Sequence, residues 1–246
     1  MTGKTTTESP RGSTTDSNKE SSDEIQREVA WGVPTGHESH WYPAVAVLGA
    51  LVLWIVLPAE YKIGALSWIV PVLEMALLIP LIITRRMPEL RGTSLSRVLA
   101  LSLIALINVT NLISLVHLVT LILSHHPITN TQALLFSAGD IWLTNVIVFG
   151  LWFWELDRGG PIVRRTQHHR KPDFLFPQMA TPFCAPTDWA PDFVDYFYVS
   201  FTNATAFSPT DTMPLTNWAK MLMAAQSLIS LITIGLVAAR AVNILH

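Results

Sequence analysis

The chain is poor in charge and nearly devoid of cysteine. Lys, Arg, Asp and Glu make up 14% of its 246 residues while half are hydrophobic, a balance that places it among integral membrane proteins. The single cysteine, Cys184, excludes an intramolecular disulfide and any multi-cysteine metal site, and reads as an isolated structural thiol. A net charge of −2 and the lack of a long basic run leave no reason to expect nucleic acid as a partner. No nucleophile–base constellation is present, so no catalytic residue and no cofactor is predicted. His168 and His169 are adjacent without a third ligand at helical spacing, which reads as a solvated pair and not a metal site. No apolar core follows the first basic residues, so no signal peptide is expected, and residues 1–38, rich in Ser, Thr, Glu and Lys, read as a disordered polar tail.

What remains is apolar and periodic in length. Crossing the hydrocarbon core takes roughly 20 apolar residues as a helix. Candidates are Trp41–Leu57, with Trp41 and Tyr42 as interfacial anchors, Ile63–Thr84, Val98–Leu123, Ala133–Trp154 and Met221–Ala239. No Asp, Glu, Lys or Arg occurs from Val98 to Gly139. The expected fold is an all-α integral membrane protein with about five transmembrane helices plus one re-entrant, pore-like loop. Its parts are the tail 1–38, a four-helix region 39–154, a polar then Pro/aromatic membrane-surface segment 155–191, and a hairpin with the last helix, 192–246. Within the surface segment, Asp157-Arg-Gly-Gly-Pro161 and Arg164-Arg165 read as turn and surface chemistry.

Residues 196–220 run as an aromatic half-helix, a Thr/Ser/Pro-rich bend and the start of an apolar helix. Their letters resemble the pore-loop pattern Tyr-Phe-Ser-Phe-x-Thr-x-Thr-Thr-Val-Gly-Tyr-Gly-Asp-x-x-Pro-x-Thr of tetrameric potassium-type cation channels. Tyr198, Ser200, Phe201, Thr205, Asp211, Pro214 and Thr216 coincide without gaps, and Lys220 stands in for the family's Arg. The filter departs from the pattern: Ala206, Phe207, Ser208, Pro209 and Thr210 replace Thr-Val-Gly-Tyr-Gly. In that family backbone carbonyls replace the ion's water shell, and glycines let them face the axis. Ser208 and Thr210 at the glycine positions, with Pro209 between them, disfavour that cage. The resemblance therefore implies a degenerate pore lined by Thr205, Ser208 and Thr210, with Asp211 as an acidic ring at its mouth. One loop per chain implies a homo-oligomer, a tetramer if it is a channel, passing monovalent cations with weak selectivity. The bland reading is a hairpin whose hydroxyls satisfy buried backbone, with Asp211, Thr212 or Thr216 capping the next helix. Asn203-Ala-Thr205 is a glycosylation sequon by letter, at a depth that argues against use.

A second resemblance runs from Pro191 to Ile244. The order Pro-x-Phe-x-Asp-Tyr-Phe-Tyr-x-Ser-Phe-Thr, then Ser208-x-x-Asp211, then Val-Asn-Ile is similar to an uncharacterised bacterial family of multi-pass membrane proteins. It implies residence in a cell membrane, of the bacterial inner-membrane kind, and no function.

Charge and shape disagree about orientation. Arg85, Arg86, Arg91 and Arg97 on one loop, and Arg158, Arg164, Arg165, Arg170 and Lys171 on another, predict cytoplasmic loops, against Lys62 alone on the others. The loop at 196–214 then enters from the cytoplasm, whereas a potassium-type pore loop enters from outside. Basic loops placed outside, an inverted pore or a miscounted crossing would each reconcile the two.

Polar groups inside the helices suggest an alternative. Glu74 and Asp140 sit mid-helix, where a carboxylate is costly unless paired, protonated or facing water. Asn108, Asn111, Ser114 and His117 follow at steps of three on the third helix, a slowly drifting polar stripe suited to a bundle interior. A Glu74–His117–Asp140 cluster would suit a proton-coupled transporter; interhelical hydrogen bonding is the structural reading. A non-conducting scaffold using the tail and the 155–191 segment is the third possibility. Gly235 reads as either a hinge or a point of close helix approach.

Overall fold

The computed structural model describes residues 41–58, 66–86, 93–123, 131–165, 171–181, 184, 186, 189–205 and 211–244. The tail 1–38, His168, His169 and the filter positions Ala206, Phe207, Ser208, Pro209 and Thr210 lie outside the described residues. Four helices come first: α1 (Trp41–Val56), α2 (Leu66–Arg86), α3 (Ser94–Leu123) and α4 (Thr131–Leu156). Two 3₁₀ turns, Asp157–Gly159 and Val163–Arg165, lead to the two-residue strand β1 (Phe174–Leu175) and the short helix α5 (Pro177–Ala180). Then come α6 (Phe193–Thr205), β2 (Met213–Pro214) and the long α7 (Asn217–Ile244).

Every apolar run read from the sequence forms a helix, with ends displaced by local chemistry. α3 starts four residues before Val98 because Thr93 caps it: the Ser96 amide donates to Thr93 Oγ1 at 3.4 Å, and Ser96 Oγ donates to the Thr93 carbonyl at 2.9 Å. Among the described residues three helices, α3, α4 and α7, are long and apolar enough to cross a membrane. α1 has 16 residues, roughly 24 Å, and the apolar part of α2, Trp68–Ile83, is similarly short against a hydrocarbon core of about 30 Å. Trp41 and Tyr42, the expected anchors, are exposed.

α4 is the hub. It packs against α1, α3, α6 and α7, and 67% of its apolar window is buried, compared with 22% for α7. Val146, Val148, Phe153 and Trp154 are almost fully enclosed. α7 instead presents Met221, Leu228, Leu231 and Ile234 outward, the pattern of a helix whose other face meets lipid or another chain. Gly235 faces open space, with no atom within 4 Å of a Cβ placed there, so close helix approach is not its role among the described residues.

The segment after α4 departs from the expected surface strip. Phe174, Phe176 and Met179 are core residues. The Phe174 ring meets Phe153 at 5.1 Å, Trp218 at 5.9 Å and Tyr196 at 6.3 Å between centroids, and Phe176 meets Tyr196 edge-on at 5.2 Å. An aromatic-rich, Pro-broken segment has the same composition whether its rings face headgroups or one another; here complementary edge-to-face partners from α4, α6 and α7 draw them inward. β1 and β2 pair antiparallel, Phe174 opposite Pro214 and Leu175 opposite Met213, and the Leu215 amide donates to the Asp173 carbonyl at 2.8 Å.

Candidate functional site

Two places gather polar chemistry: the hairpin built by α6 and β2, and a cavity among the first four helices.

The hairpin is rooted in a buried ionic knot at the C-terminal end of α4. Asp157 is fully buried; its Oδ2 accepts from Arg158 Nε at 3.0 Å and from the Tyr196 hydroxyl at 2.6 Å, and its Oδ1 from the Asp173 amide at 2.8 Å. Asp173 answers from the other side: its Oδ2 accepts the Arg158 amide at 2.8 Å and its Oδ1 the Trp218 indole at 2.9 Å. Arg164 donates to the carbonyls of Trp154 at 2.7 Å and Asp157 at 3.2 Å, with its guanidinium 5.0 Å from the centre of the Tyr196 ring. Burial pushes the Tyr196 phenol well above its ordinary pKa, so it stays a neutral donor. The turn that makes this possible is strained. Arg158 holds φ of 53°, a left-handed conformation for a residue with a side chain, and Gly159 and Gly160 follow at 85° and 101°. A Cβ on Gly160 would stand 2.9 Å from the Glu155 carbonyl oxygen.

Asp157-Arg-Gly-Gly-Pro161 is thus a turn, as its letters predict, but not surface chemistry: Arg158 is 5% exposed. Two arginines counted toward a cytoplasmic loop are neutralised or bonded to helix-end carbonyls, so they are poor witnesses to orientation. Sequence alone signals this only through the carboxylates at 157 and 173, whose pairing needs the fold.

From this root α6 runs inward. A reciprocal cap starts it: Asp192 Oδ1 accepts the amides of Val194 at 2.8 Å and Asp195 at 3.4 Å, while Asp195 Oδ2 accepts the Asp192 amide at 2.9 Å. Burial, with Asp192 beside it, raises the Asp195 carboxyl to about 6. Thirteen residues extend roughly 20 Å, too short to span. A polar seam holds α6 between α4 and α7. Ser200 Oγ donates to the Val146 carbonyl at 2.6 Å; the buried Gln226 donates through Nε2 to the Ser200 carbonyl at 2.9 Å and hydroxyl at 2.6 Å; Asn203 Nδ2 donates to Gln226 Oε1 at 2.8 Å and the Met223 carbonyl at 2.9 Å. That occupation of the Asn203 amide closes the sequon. Deeper still, Ser230 Oγ donates to the Ala204 carbonyl at 2.8 Å and accepts from the Trp142 indole at 2.7 Å.

Trp218 lies at the root and Ser230 at the tip, so α6 descends about 18 Å along α7. By Met213 the chain is back beside β1, at the end from which it started. Thr205 is exposed at the tip, its hydroxyl donating to the carbonyls of Phe201 at 2.9 Å and Thr202 at 3.3 Å. Asp211 is exposed on the returning limb, and Pro214 is half-buried in β2. Thr216 does not cap α7 through its side chain: its buried hydroxyl has no hydrogen-bond partner.

The second place is a cavity of about 300 Å³, counting its mouth, bounded by α1, α2, α3 and α4, with inner room only for water-sized species or a bare ion. Its polar lining is Glu74, Thr110, Asn111, Ser114, Asp140 and Thr144. Glu74 is 3% exposed, and among the described residues its Oε2 has no hydrogen-bond partner. Of the expected Glu74–His117–Asp140 cluster, Glu74 and Asp140 line this cavity together with Asn111, whereas His117 and Asn108 do not. Steps of three rotate by roughly −60° each, so nine residues carry His117 to the side opposite Asn108. The cavity face is instead Ile107, Thr110, Asn111 and Ser114, at i, i+3, i+4 and i+7. Among the described residues no group of three His, Cys, Asp or Glu side chains could hold a metal.

Searched against protein-family models, curated proteins and solved structures, the chain matches none.

Proposed function

We propose that α4, the α6–β2 hairpin and α7 form the outer helix, re-entrant loop and inner helix of a homo-oligomeric, weakly selective cation channel in a cell membrane, with α1 to α3 packed behind and α1 and α2 completing five crossings. The observation that carries this reading is the in-and-out course of the hairpin. Both ends of the segment are fastened at the Asp157/Asp173 end of α4 and α7, and α6 ends part-way down α7 beside Ser230. A helix that ends inside a bilayer is tolerated only where its freed backbone is buried in protein or lines a watery space. The exposed apolar face of α7 is available to neighbouring chains, as an inner helix requires. Asp211, exposed on the returning limb, supplies the acidic ring that concentrates cations; Thr205, Ser208 and Thr210 supply hydroxyls in place of a glycine-built carbonyl cage.

The mass of the detergent-solubilised particle tests this arrangement. A tetramer is expected, and a particle that stays monomeric or dimeric at all concentrations rules out a central four-fold pore. The rival proton-coupled carrier keeps Glu74 and Asp140 around one cavity but not His117.

A further inference from the structure

We infer that the cavity among α1 to α4 is a binding site for a single sodium ion, separate from the hairpin. Its donors are all oxygen: the Glu74 carboxylate, the Asp140 carboxylate, the Asn111 amide and the hydroxyls of Thr110, Ser114 and Thr144. Two of those hydroxyls have already committed their protons. Thr110 Oγ1 donates to the Leu106 carbonyl at 2.8 Å, and Ser114 Oγ donates to the Thr110 carbonyl at 3.1 Å, so each turns only lone pairs to other partners. Among the described residues no Lys or Arg lines the space. A hard cation prefers oxygen ligands of this kind, and the absence of Cys and His from the lining disfavours softer metals.

Glu74 supplies the independent pointer. A carboxyl buried to this degree, with an oxygen that meets no donor, needs a counter-charge or a proton. Of the two carboxylates in the lining, Glu74 is deeply enclosed and Asp140 only half-buried, so a single buried negative charge suits a monovalent occupant. The Glu74 carboxylate is a hard, high-field ligand, and such a ligand favours the smaller sodium ion over potassium.

The test is thermal unfolding of the purified full-length chain in detergent, at mildly alkaline pH and fixed ionic strength, titrated with sodium, potassium, calcium or choline chloride. Sodium is expected to raise the melting temperature by several degrees, with potassium and choline giving no comparable shift. Glu74→Gln is expected to abolish the sodium response. Thr144→Val, which keeps the volume, is expected to weaken the titration midpoint about tenfold and guards against a misfolded Glu74 variant. Asp211→Asn leaves the response intact, so the result stands apart from the channel reading. Equal responses to sodium, potassium and choline, a response to calcium alone, or an undiminished sodium shift in Glu74→Gln would each overturn the proposal.

Discussion

Asp157 ties the end of α4 to Asp173 and to Tyr196 of α6. Its carboxylate receives a guanidinium, a phenol and a backbone amide, and it sits 0% exposed beside an arginine that is 5% exposed. Removing one member of such a pair strands the other's charge. Asp157→Ala is expected to cost about 3–5 kcal/mol, and a denaturant titration in detergent would show it; a change below about 1 kcal/mol would mean Arg158 finds water instead. Asp195 makes a pH prediction. Its carboxyl is raised to about 6 from an ordinary value near 4, so the folded state binds the proton more tightly. Stability from this group is therefore highest below about pH 4 and is lost as pH climbs to about 6. Asp195→Asn should flatten that part of the stability profile relative to wild type, as read by melting temperature at stepped pH. Little of this was legible in the letters. Asp157-Arg-Gly-Gly-Pro announces a turn because its glycines permit positive φ, yet nothing local says that Asp173 and Tyr196 will close over it. Charged residues beside a Gly-Gly pair look the same in a solvated loop.

At the scale of elements, the apolar runs were the readable part, because an uninterrupted apolar stretch of helical length has few other fates in a chain this poor in charge. The short aromatic helix α6 ahead of α7 was readable too, from the letters at 196–205. Its mode of attachment was not. Gln226 lies in a helix with no local sign of special status, yet it ties Ser200 and Asn203 of α6 to α7 through three side-chain hydrogen bonds. Interhelical bonds of this kind are worth about 0.6 kcal/mol each in membrane proteins, so Gln226→Leu should destabilise by about 2 kcal/mol. The loss should fall on the hairpin first: hydrogen exchange at α6 amides is expected to quicken while exchange in α3 stays unchanged. Uniform quickening everywhere would mean the seam is not a separate element. The polar stripe on α3 shows the opposite lesson. Asn108, Asn111, Ser114 and His117 look continuous when read in threes, but 3.6 residues per turn splits them between faces, and Thr110 takes the place given to His117.

Among the described residues, three helices have the length and apolarity to cross a membrane, and α1 and α2 are shorter. Orientation by charge loses weight once Arg158 and Arg164 are seen to be internal partners, since the rule concerns solvated charge flanking a span. Cysteine placed at Asp192 or at Met213, in a Cys184→Ser background, should react with an impermeant reagent from the same side of the membrane. Labelling from opposite sides would show that α6 crosses, which a 13-residue helix held at Ser230 does not allow.

The most direct measurement is ion flux into liposomes carrying the purified oligomer under sodium and potassium gradients, beside the Asp211→Asn variant. If the proposed channel arrangement holds, both cations pass with weak preference, and Asp211→Asn reduces the flux severalfold. Sealed liposomes with folded, oligomeric protein and no sodium or potassium movement would contradict it.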